Sequence, residues 1–199
     1  MGRRVSATLR VEVLTGAALV AALEDLAALR IAVFRDWPYI YDGDMAYEAD
    51  YLRAYTQPGA VCVGVWDGAA LVGASTGAPM AQHAADFAEA LPDDLPVAGT
   101  FYCAESVLLP TYRGRGLGHR FFDLREAHAR ALGLKASVFA SVVRPSDHPA
   151  RPAGYRPLDG FWRARGYAPL PGAIAQFAWK DLGEAGETLK PLQLWARKL

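Results

Sequence analysis

Three glycines and three arginines fall within the stretch "LLPTYRGRGLGHRFFD", residues 108–123: Gly114, Gly116 and Gly118, and Arg113, Arg115 and Arg120. An apolar run precedes them and an amphipathic run follows, so they occupy a strand-to-helix corner. The first turn of a helix has N–H groups without intrahelical acceptors, and its dipole adds partial positive charge. Glycines let an anion come close to that backbone. The chemistry these residues suit is the grip of a phosphate group. A Walker A loop is excluded, because no Gly-Lys-Ser/Thr follows. A dinucleotide fingerprint is excluded too: counted from Gly114, its third glycine position holds His119.

The elements that must position this corner follow from periodicity. Residues 5–14 alternate and read as a strand. Thr15 is a helix N-cap, and Leu19, Leu23, Leu26 and Leu29/Arg30 recur at helical spacing through Arg35. A loop at 36–45 carries Pro38 and Asp42-Gly43, and a short helix over 46–56 ends at Pro58-Gly59. Asp67-Gly68 lies between two β-rich runs and marks a hairpin. Residues 79–91 read as weakly helical and 100–109 as a long strand. A helix follows the corner as far as Leu132, with Gly133 as its stop. A strand over 136–143, a proline-rich loop, a short helix over 158–167 and two final strands complete the chain. Pro191 places the last strand at an edge or a bulge. This order predicts an α/β (α+β) fold, a single domain over 1–199, with a mixed central sheet of about six to seven strands and helices on both faces.

Composition narrows the class. Hydrophobic residues make up 52% and charged residues 21%, and the formal net charge is zero. A folded core is expected, and nothing global draws the chain to nucleic acid or to an anionic membrane. Cys62 and Cys103 lie in apolar runs and read as buried thiols. The histidines show no metal-ligand spacing, so no metal is expected. No apolar run reaches the ~20 residues that cross a bilayer. The start "MGRRVS" lacks a following apolar segment and so does not read as a secretory signal. It fits the loose myristoylation pattern, which is short enough to match by chance. The expectation is a cytoplasmic protein.

The spacing Arg113-x-x-Gly116-x-Gly118, with Pro110 ahead of it, resembles the signature of the GNAT superfamily of acyl-CoA-dependent N-acetyltransferases. The element order resembles that fold over nearly the whole chain, and "FWRARGY", 161–167, is similar to the family's second motif. The resemblance implies acetyl transfer from acetyl-CoA to a primary amine of a small-molecule or peptide acceptor. It implies a pyrophosphate held by the backbone of Arg113, Gly114, Arg115, Gly116, Leu117 and Gly118. It also implies a strand end at Val107, Leu108 and Leu109 that pairs with the pantetheine arm and polarises the thioester, where neighbouring strands splay.

Amine acylation needs a neutral nucleophile and a proton donor for the departing thiolate. Glu105 is the candidate base, on a strand where Phe101, Cys103, Glu105 and Val107 are expected to share one face. The bland alternative pairs it with a structural arginine. Where the family often carries an acidic tyrosine this chain has Trp162, and the family's asparagine near the same loop is absent. Tyr155 is the candidate acid instead. Arg35, Trp37, Tyr39 and Tyr41 are the candidate acceptor-binding residues. The rival reading is an acyl-CoA-binding sensor of the same fold that does not catalyse. An exposed final strand would support a homodimer.

Overall fold

The computed structural model describes residues 9–199. The start "MGRRVS" and residues 5–8 of the first expected strand lie outside them. Strand β1 (Arg10–Leu14) leads to helices α1 (Gly16–Ala21) and α2 (Leu23–Phe34), and then α3 (Met45–Leu52). A hairpin follows, β2 (Val61–Asp67) and β3 (Ala70–Pro79), and then β4 (Thr100–Leu108), α4 (Leu117–Ala131), β5 (Ala136–Val142), α5 (Asp159–Ala164), β6 (Ala168–Trp179) and β7 (Thr188–Lys198). All seven strands join one sheet in the order β1-β2-β3-β4-β5-β7-β6. Every pair is antiparallel except β4 with β5.

Residue alternation sorts the two faces. Cys62 and Trp66 of β2 pack with Leu19, Leu26 and Leu29 of the first helices. Val63 and Val65 pack with Leu117 and Phe121 of α4 on the other face. The expected first helix is two helices that break at Ala22, where neither glycine nor proline marks the break. Thr15 holds the N-cap position with extended backbone, but its side chain makes no capping bond. Asp44 does cap α3, accepting from the amides of Ala46 at 2.9 Å and Tyr47 at 3.0 Å. Residues 79–91 form two short 3₁₀ turns, Met80–Gln82 and Ala84–Phe87, rather than a helix.

The final strand is not at an edge. β7 lies between β5 and β6, and the edges are β1 and β6. Pro191 fits there because its carbonyl accepts from Val143 N at 2.9 Å, so its ring nitrogen faces the same side. β5 has already ended at Val142, and the missing donor falls past its last ladder pair. The ground for expecting a dimer through an exposed last strand therefore falls away.

Two irregularities shape the centre of the sheet. Between β3 and β4, Ser75 pairs with Ser106 and Gly77 with Cys103, so Ala104 and Glu105 together oppose Thr76. This is a β-bulge, and it reverses the side-chain alternation. Phe101 and Cys103 therefore pack on the α4 face, whereas Val107 packs with α2 and Glu105 meets Arg30 of α2. The expectation that all four share a face is corrected by that extra residue. Second, β4 and β5 pair only from Thr100↔Ala136 to Tyr102↔Val138, and then part.

Arg125 of α4 spans the bulge. Its guanidinium donates to the carbonyls of Thr76 at 3.0 Å and Glu105 at 2.9 Å, and to Ser106 Oγ at 2.9 Å, and the residue is 1% exposed. Arg125→Leu strips donors from two buried carbonyls. At roughly 1–3 kcal/mol for each unsatisfied group, urea unfolding should show a loss of about 3 kcal/mol, with Arg125→Lys intermediate.

Candidate active site

The glycine corner begins with a 3₁₀ turn at Pro110–Tyr112, closed by Arg113 N donating to Pro110 O at 3.2 Å. Gly114 and Gly116 take φ of +75° and +78°, and Gly116 is the N-cap of α4. Left-handed backbone at the cap swings the chain into the helix and leaves its first amides outward. Among the described residues, the next backbone amide after Arg113 with a backbone acceptor is Arg120, bonded to Gly116 O at 3.2 Å. The unpaired run is thus Gly114 to His119, one residue later than the motif implied. Arg113 Nε donates to Leu108 O and an Arg115 nitrogen to Thr111 O, so both arginines brace the turn itself. The Tyr112 hydroxyl ties the turn to Asp67 at 2.8 Å.

At the end of β4, Leu109 N donates to Val72 O of β3 at 3.0 Å. Antiparallel alternation then turns the backbone groups of Val107 to β3 as well, and those of Ser106 and Leu108 to the opposite side, where β5 has departed. Of the three residues expected at the strand end, only Leu108 faces the gap with its backbone. Ser106, which was not singled out, does so too.

On the α2 face of this gap lies a cavity of about 100 Å³, bordered by Ala104 of β4 and Ala140 of β5. Glu105 enters its wall because of the bulge. Its Oε1 lies 2.7 Å from an Arg30 nitrogen, and Tyr51 donates to its Oε2 at 3.4 Å. Arg30 also pairs through Nε with Glu48, which is fully buried. The structural-arginine alternative is thus present in the fold, with Arg30 shared by two carboxylates. Burial acts against the Arg30 charge, but Glu105, Tyr51 and Glu48 together hold its pKa well above the ordinary value. The guanidinium is covered by the rings of Tyr51 at 4.3 Å and Phe34 at 5.0 Å.

The remaining candidates separate. Tyr39 and Tyr41 line the cavity. Burial pushes the Tyr39 hydroxyl up to about 12 and that of Tyr41 higher, so both stay neutral donors. Gly43 is required beside Tyr41, because a Cβ there would collide with the ring. Trp37 instead meets His148 and Tyr155, at ring separations of 5.2 and 5.8 Å, and Arg35 is exposed. Tyr155 does not line the cavity; burial, more than the charge of Asp159, raises its pKa. Trp162 packs on Phe139 and Trp195. Cys62 and Cys103 are free and buried, and among the described residues no group of three or more metal-ligating side chains is assembled. No described helix is long and apolar enough to cross a membrane.

The sequence profile of the Acetyltransferase (GNAT) family matches residues 23–153. The chain belongs to that family. Solved structures share the fold of this acetyltransferase at low identity. A ribosomal-protein-alanine N-acetyltransferase from Brucella melitensis is 13% identical, with 96% of this chain and 99% of that one covered and a TM-score of 0.60. The putative acetyltransferase yncA from Salmonella typhimurium, solved with acetyl-CoA, is 12% identical over 96% and 94%, at 0.59. The paia N-acetyltransferase from Thermoplasma acidophilum, solved with coenzyme A, is 11% identical over 96% and 99%, at 0.53. No curated protein sequence matches the chain.

Arg144, from the proline-rich loop, holds the 36–42 segment in place. It donates to Pro38 O at 2.9 Å and Tyr39 O at 2.8 Å and makes a two-pronged pair with Asp181 at 2.7 and 2.9 Å. Arg144→Ala should release residues 36–42. Limited chymotrypsin digestion at Tyr39 or Tyr41 is expected to run at least about tenfold faster than in the parent, in keeping with loss of a buried pair.

Proposed function

We propose that this acetyltransferase moves the acetyl group of acetyl-CoA directly to a primary amine. The observation that carries the reading is the placement of a buried carboxylate, Glu105, in a cavity wall beside the gap between β4 and β5. In this reading the outward amides from Gly114 to His119 hold the pyrophosphate, with no cationic side chain required inside the turn. The corner fits such a group because Gly116 has open space where a Cβ would stand. The backbone of Ser106 and Leu108 pairs with the pantetheine arm along the free side of β4. Acetyl-CoA supplies a thioester whose carbonyl carbon accepts the amine.

Glu105 takes one proton from the incoming ammonium, leaving the nitrogen lone pair free to attack. An N–C bond forms and the C–S bond breaks. The departing thiolate takes a proton from a donor at the site, the second nitrogen proton replaces it on that donor, and the proton on Glu105 returns to solvent. The products are an amide, a thiol and one released proton. Tyr155, beside Trp37 at the proline-rich loop, is the candidate donor to the thiolate; its raised pKa suits a group that holds its proton until the sulfur charges.

The test is thiol release from acetyl-CoA with a panel of amines, alongside calorimetric titration with acetyl-CoA. Binding with amine-dependent release is expected. Gly116→Glu places a negative charge and a strained left-handed residue at the helix cap, and should weaken acetyl-CoA binding by about 100-fold or more. Unchanged affinity in that variant would remove the pyrophosphate assignment. Binding without release to any amine would favour the sensor.

A further inference from the structure

The cavity beside Glu105 has a charge and a lining that select among amines. Arg30, Glu48 and Glu105 are its charged residues, and their ion pairs leave one negative charge in excess. Arg30 is 6% exposed, engaged by both carboxylates and covered by two rings, so it has nothing to offer a substrate carboxylate. Of the carboxylate oxygens, Glu48 Oε1 is buried without a hydrogen-bond donor, and Glu105 Oε1 has only the shared Arg30 guanidinium, 2.7 Å away. A buried site with a surplus carboxylate calls for one cation. Much of the remaining lining is aromatic: Tyr39, Phe177 and Trp179, with Tyr41 and Tyr47 next to Glu48. The buried Tyr39 and Tyr41 hydroxyls stay neutral, so this end supplies ring faces and donors but no charge. The lining carboxylate nearest this end, Glu48, is already paired with Arg30, so a second ammonium would find no free partner in the wall, and a carboxylate would meet a surplus of negative charge.

We infer that the acceptor is a primary amine carrying an apolar or aromatic body, with no carboxylate and no second cation; an arylalkylamine is the simplest member of that class. The ammonium sits at Glu105 beside the gap, and the body stacks against Tyr39, Phe177 and Trp179 and extends past the rim at Tyr47, because about 100 Å³ does not enclose the whole molecule. The inference rests on the acetyltransferase reading above and names the acceptor class for that site.

The test is a calorimetric titration of the full-length protein saturated with coenzyme A, which holds the cosubstrate site but transfers nothing. The probes are 2-phenylethylamine, phenylalanine and spermidine. We expect 2-phenylethylamine to bind at least about thirtyfold more tightly than either of the others, the size expected when a like or unpaired charge is forced into a desolvated site. Equal or tighter binding of phenylalanine or spermidine, or no binding of 2-phenylethylamine, overturns the inference. Phe177→Ala should weaken 2-phenylethylamine roughly tenfold and leave ethylamine unchanged. If that variant does not fold, Tyr47→Ala at the exposed rim tests the same point, with a smaller loss. Equal loss for both amines would overturn the role of the aromatic wall. The two claims fail separately. The expected binding order without thiol release from acetyl-CoA keeps the occupant and removes the transfer reading. Thiol release that prefers spermidine or phenylalanine keeps transfer and removes this class.

Discussion

One extra residue in β4 governs the site. Ala104 and Glu105 share the place opposite Thr76, and the alternation of the strand reverses there. Without the bulge, Glu105 would share the α4 face with Phe101 and Cys103, among apolar groups and away from Arg30. With it, the carboxylate enters the cavity under α2, and the backbone of Ser106 and Leu108 turns to the side vacated by β5. The place of the carboxylate and the free side of β4 are thus set by the same irregularity. Arg125 makes it persist: it bonds the carbonyls on both sides of the bulge, Thr76 and Glu105, from within the opposite layer.

The surrounding polar contacts extend this arrangement outward. Arg30 joins α2 to α3 through Glu48 and to β4 through Glu105, so both helices are fixed relative to the bulged strand. Arg144 and Asp181 fasten the 36–41 segment to the far side of the cavity. Asp42 N adds a bond to Lys180 O at 2.8 Å, which aligns that segment with the end of β6. Much of the wall is therefore held by polar pairs buried beneath rings, and such a wall is preorganised before a substrate arrives.

The sequence made much of the fold legible, because long periodic segments and punctuation carry it. The Asp67-Gly68 hairpin, the glycine corner, α4 with its stop at Gly133 and the succession of strands along the chain all follow from local pattern. What stayed hidden depends on non-local pairing. A period-two reading assumes an unbroken pleat, so it found Glu105 but assigned it the wrong neighbours. Pro191 argued for an edge on local chemistry, and β5 ended just early enough to make an interior place compatible. Arg30 stood on the apolar face of the helix as an apparent exception, and that anomaly was the available signal for a buried ion pair. Glu48, Arg125 and Arg144 gave no such signal, because each looks like an ordinary polar helix or loop residue until its partner is brought from elsewhere in the chain.

The central claim is that the bulge delivers Glu105 as a base rather than as a packing residue. The direct measurement is the rate ratio of Glu105→Gln to the parent protein at neutral pH, for two acceptors of the same body: an alkylamine, which arrives as an ammonium, and the corresponding O-alkylhydroxylamine, which arrives neutral. The account predicts a loss of about 100-fold or more for the alkylamine, the scale of general-base catalysis, and a loss of no more than a few-fold for the O-alkylhydroxylamine. An equal loss for both, or none for the alkylamine, contradicts it.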